Sequence, residues 1–173
     1  MQQIILVNEN DEFVGVMEKM EVHRKGLLHR AFSVFIFDKE GKMLLQKRSL
    51  EKYHSAGLWT NACCSHPKPG ESVEDASQRR LFEELGISTT LQKIFVFTYK
   101  SKVENDMIEH EFDHVFAGEY DGNIQWNPEE VAECRLIDLN TIKSELENSP
   151  ELYTAWFRIA FPEIEKWHKS KYR

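Results

Sequence analysis

Arg79-Arg80-Leu81-Phe82-Glu83-Glu84-Leu85-Gly86-Ile87 closes a stretch that opens at Ser72 and reads as one helix. Ser72 with Asp75 three residues on forms a capping box, and Gly86 stands where a helix ends in the left-handed conformation, so the spacing predicts a helix over Val73–Leu85. On either side the period changes. Ile4–Val7, Phe13–Val16, Ala31–Phe37 and Met43–Arg48 are short strand-like runs, separated by the turn-formers Asn8-Glu9-Asn10-Asp11 and Asp38-Lys39-Glu40-Gly41, and they read as antiparallel hairpins. Three more strands are expected around Leu91–Tyr99, Glu109–Glu119 and Glu133–Ile137. The tail returns to a helical period, with helices over Leu139–Glu147 and Leu152–Ala160 separated by Ser149-Pro150, the second ended by Pro162. Strands flanked by a few helices define an α/β or α+β sandwich. No repeat, linker or low-complexity stretch interrupts the 173 residues. One domain is therefore expected over 1–173, with its core at about residues 4–161.

A formal charge of −7 and a pI near 5.5 exclude the broad basic face that nucleic acid or an anionic membrane surface requires. An anionic substrate then needs a locally basic pocket. The start of the chain carries no positively charged leader and only the apolar run Ile4–Val7, too short to span a membrane, which gives the expectation of a soluble, cytoplasmic protein. Three cysteines, Cys63 and Cys64 adjacent, make a poor disulfide framework and read as free thiols, metal ligands or a catalytic group. Cys134 reads as an inert thiol.

The chemistry concentrates around the helix. Trp59-Thr60-Asn61-Ala62-Cys63-Cys64-Ser65-His66-Pro67 leads into it as a loop that sets a thiol beside an imidazole. Residues Glu71 and Arg79 to Ile87 resemble the Nudix box of enzymes that act on diphosphates, whose carboxylates hold a divalent cation jointly with phosphate. Two positions depart from it: Ser65 falls on the opening glycine, and Arg80 replaces a glutamate, removing a metal-binding carboxylate and reversing its charge. Otherwise Arg79–Glu83 and Arg80–Glu84 are i,i+4 pairs on a solvated face. Glu109-His110-Glu111 lies on an expected strand, where period two puts both carboxylates on one face and His110 on the other. Their mutual repulsion would be relieved by a shared cation. Of the seven histidines, His23, His29 and His66 are placed to join them. Three imidazoles and two carboxylates make an N3O2 set with one position open, suited to Mn²⁺, Mg²⁺ or Zn²⁺.

The segments His29-Arg30-Ala31-Phe32-Ser33, Leu58-Trp59-Thr60-Asn61, Cys64-Ser65-His66-Pro67, Arg79-Arg80 and Glu109-His110-Glu111 together resemble the type I isopentenyl-diphosphate isomerases, from Ile5 to about Trp156. Arg80 is itself a feature of that family. The resemblance implies a Nudix-like α/β sandwich around a curved mixed sheet, and interconversion of isopentenyl and dimethylallyl diphosphate in isoprenoid biosynthesis. It implies that His23, His29, His66, Glu109 and Glu111 bind a metal, that Cys64 and Glu111 are the acid–base pair, and that Glu84 and the Cys64 backbone carbonyl hold a Mg²⁺ ion on the diphosphate. Lys19, Arg48, Lys52 and Arg80 match its diphosphate-binding residues, and Tyr99 and Trp156 the aromatics around the isoprenyl tail. A small-molecule substrate, no nucleic-acid or membrane partner, and a monomer or weak homodimer are the expected associations. A diphosphate hydrolase, which Arg80 opposes, and a zinc-stabilised binding module, which a carboxylate-rich open set opposes, are the competing readings.

Overall fold

Strand β3, His29–Phe37, is the hub on which the molecule is built, and it is buried along nearly its whole length. Its sequence is close to continuously apolar because both faces are covered. The structure is a computed structural model that describes residues 1–172. Arg173, the last residue of the domain expected over 1–173, lies outside them. β3 pairs with β1 (Gln3–Val7), β4 (Met43–Arg48) and β6 (Cys63–Ser65) antiparallel, and with β8 (Ile108–Glu119) parallel. Around this hub, β2 (Phe13–Glu18) pairs with β1, β5 (Trp59–Thr60) and β9 (Val131–Ile137) pair with β4, and β7 (Gln92–Lys102) pairs with β8. The sheet is mixed and nine-stranded.

Four helices complete the two outer layers: α1 (Lys19–Lys25), α2 (Val73–Leu85), α3 (Leu139–Asn148) and α4 (Ala155–Lys171). On one face Phe32, Val34 and Ile36 pack with Leu44, Cys63 and Phe116 under Leu81 and Leu85 of α2. On the other, Phe35, Phe37, Leu45, Val115 and Ala117 meet Ile142 of α3 and Phe157, Phe161 and Ile164 of α4. Along this second face the parallel strands β3 and β8 change character together. Beyond Phe35 and Val115 the same face carries Ser33, Ala31 and His29 on β3, with Asp113 and Glu111 of β8 in register with Ala31 and His29, and Glu109 two residues further along. The apolar layer ends there and a polar site begins.

The capping of α2 is as its sequence requires: Ser72 Oγ accepts from the Asp75 amide, and Gly86 sits at φ 67. Two local expectations are corrected. The segment Trp59–Pro67 is not a plain loop but contains β5 and β6, joined by Asn61, whose Nδ2 donates to the Val34 and Cys63 carbonyls at 3.0 and 2.8 Å. The last helix neither starts at Leu152 nor ends at Pro162. Pro150–Leu152 form a 3-10 turn, and α4 continues through Pro162 to Lys171. Proline there withdraws one amide from the helical ladder, yet Phe161 and Ile164 are buried on either side of it, and Trp167 packs 5.6 Å from the Phe37 ring. Packing outweighs the lost bond. Among the described residues no helix is long and apolar enough to cross a membrane.

Candidate functional site

Parallel register sets His29 beside Glu111, and the strand period sets Glu109 on the same face two residues earlier. His66 enters from the end of β6, and His23 from α1. The five are drawn into one buried cluster: His29 Nε2 lies 3.2 Å from His66 Nε2, His66 Nε2 lies 3.1 Å from Glu111 Oε1, and His23 Nε2 lies 3.2 Å from Glu109 Oε1. His23 Nδ1 donates to the Lys19 carbonyl at 2.6 Å and His29 Nδ1 to the Leu27 carbonyl at 2.9 Å. That fixes the tautomer, and both Nε2 lone pairs face inward.

Inward lone pairs crowded against a carboxylate are unfavourable unless a cation lies among them. His23 Nε2 and Glu109 Oε2 are buried without a hydrogen-bond partner, and burial together with the neighbouring His29, Lys19 and His23 charges pushes His66 well below the usual imidazole range. Neutral imidazole is the ligating form. Burial would raise Glu111, but its close contacts with Glu109, His29 and Tyr99 outweigh it and hold the carboxyl below its ordinary range. Donor atoms of His23, His29, His66 and Glu111 all lie within 4.8 Å of one another. This is a buried His/Glu cluster capable of coordinating a metal ion.

Above it opens a cavity of about 350 Å³, lined by Lys19, Arg48, Lys52, Cys64, His66, Arg80, Glu84, Tyr99, Glu109, Glu111 and Trp156. Of the residues singled out in the sequence, only His23 and His29 are sealed beneath it. One side is cationic. Lys19 is pushed down to about 8 by burial and by the charges of Lys52, Arg48 and Arg80, partly countered by Glu109. Such a crowd of cations is relieved by a bound polyanion. Arg80 donates to Glu83 at 2.7 Å and to Glu84 at 2.6 Å, and Gln46 donates to the other oxygen of Glu84 at 2.8 Å.

The same cavity carries the thiol and the aromatics. Cys64 and Cys63 point to opposite faces of β6, as extended backbone demands. Cys63 is sealed in the α2 core, whereas Cys64 lines the cavity, its Sγ 3.8 Å from Asn61 Oδ1. Burial pushes the Cys64 thiol up to about 12, against the opposing charge of Arg48. Tyr99 donates its hydroxyl to Glu111 at 2.9 Å, and the Trp156 ring stacks on the Arg48 guanidinium at 5.3 Å.

Sequence reasoning missed three lining or neighbouring residues. His54, buried, reaches Glu109; Glu130 pairs with Lys52 and Arg80. Asp113 accepts from Ser33 Oγ at 2.7 Å, and burial with the Glu111 charge raises its carboxyl well above the usual range. Asp113 was open to the same period-two reasoning that found Glu109 and Glu111. His54 was not, because nothing in its turn-rich surroundings has a period.

Fold and site together define a NUDIX-domain protein, and the NUDIX domain family model matches residues 27–157. A solved protein from Deinococcus radiodurans superposes with a TM-score of 0.79 at 19% identity, covering 94% of this chain and 98% of its own. Isopentenyl-diphosphate Delta-isomerase of Serratia proteamaculans is 48% identical over 96% of each chain, and that of Burkholderia multivorans 44% identical over 96% of this chain and 97% of its own. The chain belongs to the isopentenyl-diphosphate Delta-isomerase family.

Proposed function

We propose that this protein interconverts isopentenyl and dimethylallyl diphosphate, with Cys64 and Glu111 moving the two protons. The observation that carries this reading is a thiol and a carboxylate lining one cavity together with Lys19, Arg48, Lys52 and Arg80. Isomerisation adds a proton at the terminal alkene carbon and removes one from the allylic carbon, so it needs one proton donor and one acceptor. At neutral pH Cys64 holds its proton and Glu111 does not. Lys19, Arg48, Lys52 and Arg80 bind the diphosphate, and Glu84 with the Cys64 backbone carbonyl holds a Mg²⁺ ion that arrives with it. Tyr99 orients Glu111 through its hydroxyl. Trp156 closes the tail end, where its ring stabilises the tertiary carbocation by ~1–2 kcal/mol once water is excluded.

His23, His29, His66, Glu109 and Glu111 are the residues that hold a Mn²⁺, Mg²⁺ or Zn²⁺ ion. Such an ion supplies a fixed orientation and charge for the Glu111 carboxylate. The substrate is a small molecule, and the reading includes a cytoplasmic location, a single domain, a monomer or weak homodimer, and no nucleic-acid or membrane partner. Hydrolysis is disfavoured because Arg80 engages both helix carboxylates, Glu83 and Glu84. The test is incubation with isopentenyl diphosphate in D₂O. Deuterium entering dimethylallyl diphosphate without release of phosphate supports the reading; phosphate release without deuterium uptake overturns it.

A further inference from the structure

One buried imidazole that the function above does not use meets Glu109. His54 lies between β4 and β5, is 5% exposed, and places Nε2 2.5 Å from Glu109 Oε1. We propose that His54 is the positioning residue for Glu109: it donates its Nε2 proton to the carboxylate and holds it beside His23, whose Nε2 lies 3.2 Å from Oε1. The assignment rests on reading Glu109 as a metal ligand. A ligating carboxylate that is itself hydrogen-bonded has its rotamer and its free lone pairs fixed before the ion arrives.

Three observations support it independently. The first is the tautomer: His54 Nδ1 lies 3.1 Å from Ser55 Oγ, whose hydroxyl can donate to it, so that Nε2 carries the proton that Glu109 receives. The second is the effort built into the ring's placement. Ser55 sits at φ 51, a left-handed conformation that costs a residue with a side chain. It is held there by its amide donating to Glu104 Oε2 at 3.0 Å, and by Arg48 donating to the Ser55 and His54 carbonyls at 3.2 and 3.1 Å. The third is Glu109 itself. One of its oxygens is engaged, while Oε2 is buried without a partner, a state that persists only where another partner is expected. The rings of Tyr53 and Trp156 stand perpendicular to His54 at 4.5 and 6.0 Å and restrict its rotation.

The test is Mn²⁺ titration of the metal-free protein, followed by electron paramagnetic resonance, for wild type, His54→Ala, His54→Gln and Glu109→Gln. The Co²⁺ absorption spectrum reports the donor set of each. His54→Ala should weaken Mn²⁺ binding ~10–100-fold, the usual cost of losing a partner behind a ligand. His54→Gln, whose amide can donate from the position of Nε2, should restore most of that loss, with the Co²⁺ spectrum unchanged. Wild-type affinity in His54→Ala overturns the proposal. So does an equal loss in both His54 variants with a changed Co²⁺ spectrum, which makes His54 a direct ligand instead. If Glu109→Gln binds Mn²⁺ as tightly as wild type, the reading of Glu109 as a ligand fails, and that result is separate from the His54 comparison.

Discussion

Two pairs of glutamates face the same cavity and are held in opposite ways. Glu83 and Glu84, at the end of α2, are both engaged by the guanidinium of Arg80, and Arg79 adds a second contact to Glu83. Glu109 and Glu111, on β8, are met by His23, His29, His54 and His66. A guanidinium is a permanent cation with no lone pair to give, so the α2 pair is neutralised where it stands. A neutral imidazole shares a cation with a carboxylate instead of replacing it. The carboxylates grouped with imidazoles that could hold a metal ion are therefore those on the strand. The second oxygen of Glu84 accepts from the neutral Gln46 amide and not from a guanidinium.

Removing metal should break the β8 side completely and leave the α2 side intact. After exhaustive chelation, isomerase activity should fall to background and return with Mn²⁺ or Mg²⁺, while far-ultraviolet circular dichroism stays unchanged. An ion held at 1,000 times its Kd should also raise stability by ~4 kcal/mol, read as a shift in Tm. Full turnover in the chelated protein contradicts the assignment of all five ligands.

The next largest effects separate residues that sit side by side. Glu111→Gln and Cys64→Ala should each lower kcat by ~10³-fold, within the range for loss of a positioned acid or base. Glu83→Gln, which breaks the half-exposed ion pairs with Arg79 and Arg80, should cost less than ~1 kcal/mol of stability and leave kcat within about three-fold. Cys63→Ala should also keep its activity. It removes a sulfur from the core under α2 and costs ~1 kcal/mol in stability. If Cys63→Ala is inactive and Cys64→Ala is active, the pointing of β6 has been misassigned.

Arg80→Glu would add a carboxylate beside Glu83, Glu84 and Glu130, leaving Arg79 on Glu83 and Lys52 on Glu130 as the remaining ion pairs. Exchanging a cation for an anion beside the diphosphate should raise KM for isopentenyl diphosphate ~100-fold, equivalent to ~3 kcal/mol. Phosphate release should stay at background, since a restored helix carboxylate does not rebuild the rest of a hydrolytic site. An unchanged KM would remove Arg80 from the diphosphate pocket.

The comparison also separates what was legible in the sequence from what was not. The pair on β8 could be read because strand period alone places Glu109 and Glu111 together, and α2 could be read because Ser72 and Gly86 mark its ends. Strands β5 and β6 were hidden, since two or three residues carry no period and Asn61 joins them through its side chain. Pro162 misled because the local rule against proline in a helix is weaker here than the burial of Phe161 and Ile164 around it. His54 was invisible for a different reason. Its position depends on a left-handed serine and on hydrogen bonds from Arg48, and its partner Glu109 is remote in the chain.

The smallest effect concerns Lys19, which lines the cavity among other cations. In the metal-free protein Lys19 has been pushed from 10.5 to about 8, first by burial and then by Lys52, Arg48 and Arg80. Its folded value is below its unfolded one, so between about pH 8 and 10.5 the unfolded chain binds more protons, and through Lys19 stability rises with pH across that window. Binding of an anion runs the other way. Lys19 attracts a diphosphate only while charged, so affinity for inorganic diphosphate should fall ~10-fold between pH 7 and 9, the limit for one linked proton with a pKa of about 8. Inorganic diphosphate titrates in the same range, but equally with every variant. The ratio of wild-type to Lys19→Met affinity, measured by calorimetry across pH 7–9, therefore isolates this residue. That ratio should shrink toward one as pH rises. A constant ratio would mean that Lys19 keeps its proton throughout, or that it does not meet the anion.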